Sequence, residues 1–471
     1  MGRATIWTTS STIISLGILL GQLAILTRYF DPAVFGQFAI INLFIEIFTV
    51  LALGGISNFL IFKRDISHNG QNTIFALAIL IGFSAFLIMY LLAPVITAAM
   101  GYPDLAEPLR VVTLLVPISA LLAQYQAVAL KEFSHPSVAK VDIVSRILAF
   151  GIAMATIPMG LFCLIFSMVS YQLIKLIGMM ILFSKKMNFS ANFDKSVVSE
   201  AFNYGIFDLG GQSLNILRRQ LDIIILSVAL PIAELGVYHV IKQLASRPAQ
   251  ALQPIVSKLA LPAFAKNNDN PEQLQQVYLD FFLIQGLVLA FIYAPMIIAS
   301  DLITSLLFGA NIAEHHWVLA TLACFWFVRI AGSNLIGPLV QAVGRTKIGF
   351  YWNLWVLPPN ALVMYFASSY GVEVLTGALV IFQLILFPLS NKVMINRMIT
   401  VSSLHLVAML STLLALFIVP GLLMLLLLNS FNITEFLVRE ISLAVLACGI
   451  TAIGLKKSKR LRSALSRVKV L

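Results

Sequence analysis

The sequence has little charge for its length. Asp, Glu, Lys and Arg make up 11% of its 471 residues, whereas soluble domains carry roughly 25%. With 60% hydrophobic residues and a mean hydropathy of +0.95, the chain lacks the polar surface needed to cover a globule in water. The longest polar interruption is residues 184–200, which argues against a large soluble catalytic domain.

Cysteines and catalytic motifs are also scarce. Cys163, Cys324 and Cys448 lie far apart in apolar runs, so we interpret them as packing residues, not as disulfide partners or metal ligands. The sequence has no phosphate-binding P-loop and no H-E-x-x-H motif. We therefore predict that the protein is not an enzyme and holds no metal or cofactor, and that any transport is secondary or driven by the substrate.

Long apolar stretches, in contrast, recur from end to end. Windows of about 20 apolar residues are typical of transmembrane helices, and the N-terminal one is too long for a cleaved signal peptide. The sequence thus predicts an all-α polytopic membrane protein. We predict fourteen spans: residues 6–27, 37–61, 72–99, 109–130, 138–158, 160–183, 201–229, 237–263, 274–299, 316–340, 348–369, 372–395, 404–428 and 436–455.

The loop charges support this topology. With the N-terminus inside, almost all loop lysines and arginines fall on the inner side, including the basic tail 456–471. The outer side holds only Arg28, Arg110 and Arg439 among the cations. Cytoplasmic loops carry such an excess, so both termini are predicted to be cytoplasmic. Membrane topology accounts for most of the net charge of +11, and we expect no nucleic-acid partner.

An internal repeat suggests two related halves. Residues 25–38 (ILTRYFDPAVFGQF) align without gaps with residues 225–238 (ILSVALPIAELGVY), so that Gly36 matches Gly236. Two like halves around a midplane site are common in transporters. We predict a six-helix lobe at residues 1–183, a cytoplasmic linker at 184–200, a second six-helix lobe at 201–397, and two further helices with a basic tail at 398–471.

Span seven carries charge where a membrane helix avoids it. Its polar residues are spaced by three and four, which places them on one helix face. Arg218 and Arg219 stand within i−4 of Asp222, close enough for either to pair with it. The polar residues of this face are Asp208, Gln212, Asn215, Arg219 and Asp222.

Span eight adds more cations at a similar predicted depth. Lys242 and Arg247 are about as far from the connecting loop as Asp222 and Arg219. One acid cannot neutralise four cations, and unpaired charge in hydrocarbon is costly. We therefore predict either a water-filled cavity or an anionic ligand, the alternative being a structural ion-pair network. The candidate anion site is Arg218, Arg219, Lys242 and Arg247, with Arg146 and Arg329 as further candidates.

The acids are candidates for a different role. Under the repeat alignment, Glu46 corresponds to Ser246, beside Arg247. Glu46 is a candidate to carry a coupling proton or sodium ion, or to act as a counter-charge, and both roles stay open. Asp208 and Asp222 are candidates for the same two roles.

Several segments resemble the Wzx-type polysaccharide flippases, in the branch that includes the colanic acid exporter. The resemblance rests on FGQF, GGISNFLIFKRDISH, YPDLAEPLR, KLALPAFAKNNDNPEQL and LLFG, and covers about residues 15–400. These flippases belong to a superfamily with the multidrug and toxin extruders and the lipid II flippases.

The resemblance implies a fold and a function. It implies two six-helix bundles in a V, moving undecaprenyl-diphosphate-linked oligosaccharides across the bacterial inner membrane by alternating access. It also implies a cationic lumen, a role carried onto the four cations of spans seven and eight, and surroundings of membrane lipid. A polysaccharide polymerase and chain-length proteins are its implied partners.

Three alternatives stay open at the level of sequence. One is an ion-coupled multidrug extruder of the same superfamily, which would bind cations through acids. The second is a membrane polysaccharide polymerase or ligase, although the longest outside loop, residues 300–315, is short. The third is a non-transporting scaffold in an envelope biosynthesis complex.

Overall fold

The protein is helical wherever its structure is described. The computed structural model describes residues 2–53, 68–131, 135–183, 195–430 and 449–450, and every regular element in these ranges is a helix. Cys448 and all but two residues of the fourteenth predicted span lie outside these ranges. The all-helical prediction is confirmed for the described part of the chain.

Within each described range of the first half, successive helices are joined by short connections. Short 3-10 turns at Pro103–Leu105 and Ile157–Met159 precede two of them. The helices are α1 Gly2–Tyr29, α2 Pro32–Leu53, α3 His68–Ala99, α4 Ala106–Val112, α5 Leu115–Lys131, α6 His135–Ala155, α7 Leu161–Phe183 and α8 Lys195–Ala229.

The second half continues in the same way. Asn270 caps the helix that begins at Pro271 by accepting hydrogen bonds from the backbone N–H groups of Glu272 and Gln273. The helices are α9 Ile232–Lys266, α10 Pro271–Ile298, α11 Ser300–Leu307, α12 Ala310–Ala313, α13 His316–Ser333, α14 Ile336–Ala342, α15 Thr346–Ser368, α16 Val372–Val393 and α17 Ser403–Ser430, with a 3-10 turn at Ile395–Arg397.

Length and composition alone identify eight membrane-crossing stretches among the described residues. Helices α6, α8 and α9 are 21, 35 and 35 residues long but are not among the eight, because charged side chains interrupt their apolar sequence. The eight stretches are Pro32–Leu53, Asn69–Ala99, Pro103–Ala129, Leu161–Phe183, Pro271–Ile298, His316–Ala342, Val372–Arg397 and Ser403–Leu428.

The chain divides into two compact units, Met1–His239 and Val240–Leu471. In the first unit α2 packs against α3, α5 and α8, while α6 packs against α1 and α7. In the second, α10 packs against α13 and α17, and α13 against α16. The division falls inside α9, whereas the predicted lobe boundary is at residues 184–200. The two predicted lobes describe the sequence repeat, and they stay a prediction.

Buried amides join two helices of the second unit. Asn334 Nδ2 donates to Gln285 Oε1 at 2.8 Å, and Gln285 Nε2 donates to the carbonyl of Ile330 at 3.1 Å. Buried polar side chains need such partners. One turn away the rings of Phe282 and Phe387 stack with centroids 6.3 Å apart. These contacts make α10, α13 and α16 one packed body.

The two copies of the repeated segment touch each other inside the first unit. A Cβ added to Gly36 would overlap the carbonyl of Ile232, and a Cβ added to Gly236 would overlap the carbonyl of Pro32. Both pairs are related by the same shift of 200 residues as the sequence repeat. The contact between the start of α2 and the start of α9 is therefore reciprocal, and only glycine permits it at either position.

Candidate anion-binding site

An ion pair in the first unit joins α2 and α8. Arg219 Nη2 lies 2.8 Å from Glu46 Oε2, and Asn42 Nδ2 donates to Glu46 Oε1 at 3.2 Å. The sequence offered Asp222 as a partner for Arg219, and offered Glu46 as a counter-charge without naming its partner. The structure brings Glu46 and Arg219 together, which favours the counter-charge role for Glu46.

Arg219 is exposed although it lies deep along its helix. It stands about ten residues, or about 15 Å along the axis, before the end of α8 at Ala229. If the predicted span ends at residue 229, this is half of a hydrocarbon layer about 30 Å thick. Its side chain is 63% exposed, and that of Glu46 is 30% exposed. Arg218 is also exposed. A charged pair exposed to lipid at this depth is costly, so this surface is expected to face water.

Asp222 is buried and held by different groups. One carboxylate oxygen accepts a hydrogen bond from Tyr238 Oη at 2.7 Å, and the other from the backbone N–H of Ile223 at 2.9 Å. Asp222 and Tyr238 are 6% and 2% exposed. The carboxylate thus ties α8 to the start of α9 and serves the hairpin between them.

Replacing Tyr238 by Phe tests this structural role. We expect Tyr238→Phe to lower the free energy of unfolding by about 1.5–3 kcal/mol, because it removes a hydrogen bond to a buried charged group. The measurement is thermal unfolding of the purified protein in detergent. Tyr102→Phe is the matched control, since Tyr102 Oη donates to a neutral acceptor, the Ser227 carbonyl, at 3.3 Å. Equal losses in the two variants would contradict the role given to Asp222.

The other predicted cations have separate surroundings. In the second unit, Arg247 donates to Gln243 Oε1 at 3.0 Å and to Gln250 Oε1 at 3.3 Å. Lys242 lies half-buried on the same helix. The Arg329 guanidinium carbon lies 5.5 Å and 5.4 Å from the ring centres of Phe325 and Trp326. Asp208 lies in α8, but its side chain is outside the described residues.

A second charged cluster occupies α1, α6 and α7. Asp142 Oδ1 accepts from Lys175 Nζ at 2.5 Å and from Tyr171 Oη at 2.6 Å, while Asp142 Oδ2 accepts from Ser15 Oγ at 2.9 Å. The Arg146 guanidinium carbon lies 3.7 Å from the centre of the Tyr171 ring. Arg146 and Lys175, which lie on different helices, thus belong to one cluster.

Sequence reasoning missed Tyr171 and Ser15, although a signal for Tyr171 was present. Asp142 and Arg146 are spaced i,i+4 on α6, and Tyr171 and Lys175 are spaced i,i+4 on α7. The two pairs stand at similar distances from the turn at Gly160, which would bring them together in an antiparallel hairpin. Ser15 gives no such signal, because its contact depends on how α1 packs against α6.

The described residues contain no group of three or more His, Cys, Asp and Glu side chains arranged to hold a metal ion. The candidate site residues instead provide cationic side chains, and those of Arg218 and Arg219 are exposed. Arginine guanidinium groups bind carboxylate and phosphate through paired hydrogen bonds. The chemistry available to the site is therefore the binding of an oxyanion.

The sequence matches a family of known proteins. The family described as "Polysaccharide biosynthesis protein" matches residues 25–315. The amylovoran biosynthesis protein AmsL of Erwinia amylovora is 29% identical over 302 residues, covering 63% of this chain and 77% of AmsL. The lipopolysaccharide biosynthesis protein WzxC of Escherichia coli K12 is 25% identical over 398 residues, covering 83% of this chain and 80% of WzxC.

The fold is that of known transporters. The inward closed structure of the lipid II flippase MurJ matches with a TM-score of 0.71 at 14% identity, covering 97% of this chain and 99% of MurJ. Since the family match spans more than half of the sequence, the resemblance seen in the sequence motifs is confirmed. The chain is a multi-pass membrane protein that belongs to the polysaccharide biosynthesis protein family.

Proposed function

We propose that the protein is a flippase that moves lipid-linked oligosaccharide units, the precursors of a surface polysaccharide, across the membrane. Its relatives are named for the biosynthesis of amylovoran and lipopolysaccharide, and one is named a succinoglycan biosynthesis transport protein. The MurJ-like fold agrees with transport and not with catalysis.

The observation that carries the proposal is the exposed Glu46–Arg219 pair, which the predicted span at residues 201–229 places near the middle of the membrane. A water-filled surface at this depth gives a polar headgroup a route through the hydrocarbon layer. The adjacent Arg218 adds a second exposed cation. Two adjacent arginines on this exposed surface suit an anionic headgroup.

A lipid-linked diphosphate has the matching chemistry. The diphosphate diester carries two negative charges, and arginine forks bind phosphate oxygens in pairs. The lipid tail remains in the bilayer while the headgroup passes along the wet surface. We propose Arg218, Arg219, Lys242 and Arg247 as the substrate-binding cations, with Arg146 and Arg329 as further ones.

The reciprocal glycine contact closes one end of the first unit, as one state of an alternating-access cycle requires. In the predicted topology the starts of α2 and α9 lie at the outer face, next to Asp31 and Glu234. Gly36 and Gly236 let the two helix starts approach backbone to backbone, and their separation would open the outer end. Alternating access by such opening and closing is common in transporters built from repeats.

The finer features of this proposal follow the sequence. We include fourteen spans, two six-helix lobes with two added helices, an inner-membrane location and cytoplasmic termini, in line with the inner-side excess of lysine and arginine. Glu46 acts as the counter-charge of Arg219. Transport is coupled to a proton or sodium ion, and Glu46 and Asp208 are the candidates to carry it. A polysaccharide polymerase and chain-length proteins are its proposed partners.

Deletion of the gene in its native host tests the function. We expect surface polysaccharide to be lost and lipid-linked repeat units to accumulate in the inner leaflet, with both restored by a plasmid copy. Normal surface polysaccharide with a normal leaflet distribution, in a host without a second transporter for the same repeat, would contradict the proposal. A multidrug extruder would instead change drug tolerance and leave the polysaccharide intact.

A further inference from the structure

The cluster around Asp142 contains one arginine whose charge no described acid balances. Lys175 already balances Asp142, since Lys175 Nζ lies 2.5 Å from Asp142 Oδ1. Among the described residues, no carboxylate lies within ion-pair distance of Arg146, whose contact is the face of the Tyr171 ring. The cluster thus contains two cations and one anion, and its surplus charge belongs to Arg146.

Arg146 also has a hydrogen-bond donor without an acceptor. Its Nε atom is buried, and none of the described residues accepts a hydrogen bond from it. Buried N–H groups in folded proteins rarely lack a hydrogen-bond acceptor, because the loss of their hydration costs free energy. The guanidinium is therefore incompletely satisfied, and an oxyanion on its terminal N–H groups would balance its charge.

Tyr171 determines where the terminal N–H groups of this guanidinium point. The Tyr171 hydroxyl donates to Asp142 Oδ1 at 2.6 Å and accepts from Lys175 Nζ at 3.1 Å, which fixes the ring. A guanidinium 3.7 Å above an aromatic ring lies in stacking range. Stacking occupies the flat face of the guanidinium and, because Nε is buried, leaves the terminal Nη groups as its donors to a ligand.

We propose that Tyr171 is a positioning residue that holds Arg146 as a second oxyanion-binding group of the first unit, separate from the Glu46–Arg219 pair. The ligand is a carboxylate of an acidic sugar or a phosphate of the lipid headgroup. This inference rests on the proposed function, because it assigns a further contact to the molecule that the flippase moves.

Binding to purified protein in nanodiscs tests the role and separates the two sources of oxyanion. The carboxylate probe is a tetrasaccharide of alternating glucuronate and N-acetylglucosamine, and its neutral control is the carboxyl-reduced tetrasaccharide. The phosphate probe is geranylgeranyl diphosphate, and its neutral control is geranylgeraniol. The affinity of each is measured by calorimetry for the wild type, Arg146→Gln, Tyr171→Leu and Tyr171→Phe.

We expect Arg146→Gln to weaken binding of one charged probe about tenfold or more, in line with loss of a charge-assisted pair of hydrogen bonds. Tyr171→Leu should weaken the same probe about 3- to 30-fold, the range of a cation–π contact. Tyr171→Phe keeps the ring and should stay within about 2-fold of the wild type. The probe affected identifies the source, and binding of the neutral controls should not change.

Four results would overturn the inference. Unchanged binding of both charged probes in Arg146→Gln and Tyr171→Leu would show that the cluster only stabilises the fold. Equal losses for charged and neutral probes would show the same, and thermal unfolding of each variant identifies a misfolded one. If Arg219→Ala loses the diphosphate probe while both cluster variants bind like the wild type, the proposed function stands and this inference fails. A wild-type protein that binds neither charged probe contradicts both.

Discussion

Arg218→Ala combined with Arg219→Ala is expected to reduce transport about 100- to 10,000-fold while the protein still inserts at a normal level. Each arginine is expected to give the headgroup a charge-assisted hydrogen bond of about 1.5–3 kcal/mol, and 1.4 kcal/mol corresponds to a factor of ten. The loss also leaves Glu46 without the arginine that lies 2.8 Å from it. The measurement is complementation of a deletion host, with protein level read from membrane fractions.

Two further variants isolate the anion role. Arg218→Lys with Arg219→Lys keeps both charges but loses the planar fork, so we expect activity between the wild type and the alanine double variant. Arg110→Ala removes an arginine that pairs with Glu107 near the predicted outer face and should complement fully. Full complementation by the alanine double variant would reject the anion site on α8.

Gly236→Ala is expected to open the outer end of the first unit. The added Cβ would overlap the Pro32 carbonyl, which is backbone and cannot rotate away. Overpacking of this kind costs about 1–3 kcal/mol, which shifts a closed–open equilibrium about 5- to 150-fold towards open. Because alternating access requires the closed state, we expect transport to fall to a similar extent.

Cysteine labelling reports the opening directly. Ala39→Cys places a thiol at a buried position, 1% exposed, next to the contact on α2. In a background with the three native cysteines replaced by alanine, an impermeant maleimide added from outside should label it faster when Gly236→Ala is present. Gly21→Ala is the matched control, because a Cβ there meets nothing within 4 Å. Equal labelling in all three proteins would contradict the gate.

The sequence predicted well those features that depend on the local chain. Apolar length and the positive-inside bias indicated a helical membrane protein, and family motifs indicated its relatives. The repeat alignment of Gly36 with Gly236 predicted equivalence between two segments, and the structure adds that the equivalent positions touch. Spacing by three and four placed Arg219 on a polar face, because this rule acts within one helix.

The sequence could not supply contacts that depend on packing between helices. Glu46 and Arg219 are 173 residues apart, and no periodicity within α2 or α8 relates them. Nothing in the sequence indicated that Tyr238 donates a hydrogen bond to Asp222. A tyrosine in an apolar run is normally buried because its ring packs against apolar neighbours. Hydropathy likewise marked eight stretches, because charges on α6, α8 and α9 reduce the signal of helices that carry the site.

Reconstitution measures directly whether this protein moves a lipid-linked oligosaccharide between leaflets. Purified protein is placed in liposomes whose lipid-linked repeat units carry a terminal sugar cleaved by an added, impermeant glycosidase. Our account predicts that the wild type makes the inner-leaflet half of these units cleavable, while the Arg218→Ala, Arg219→Ala protein leaves that half protected. Protection of the inner half in the presence of folded wild-type protein, with or without a proton or sodium gradient, would contradict the account.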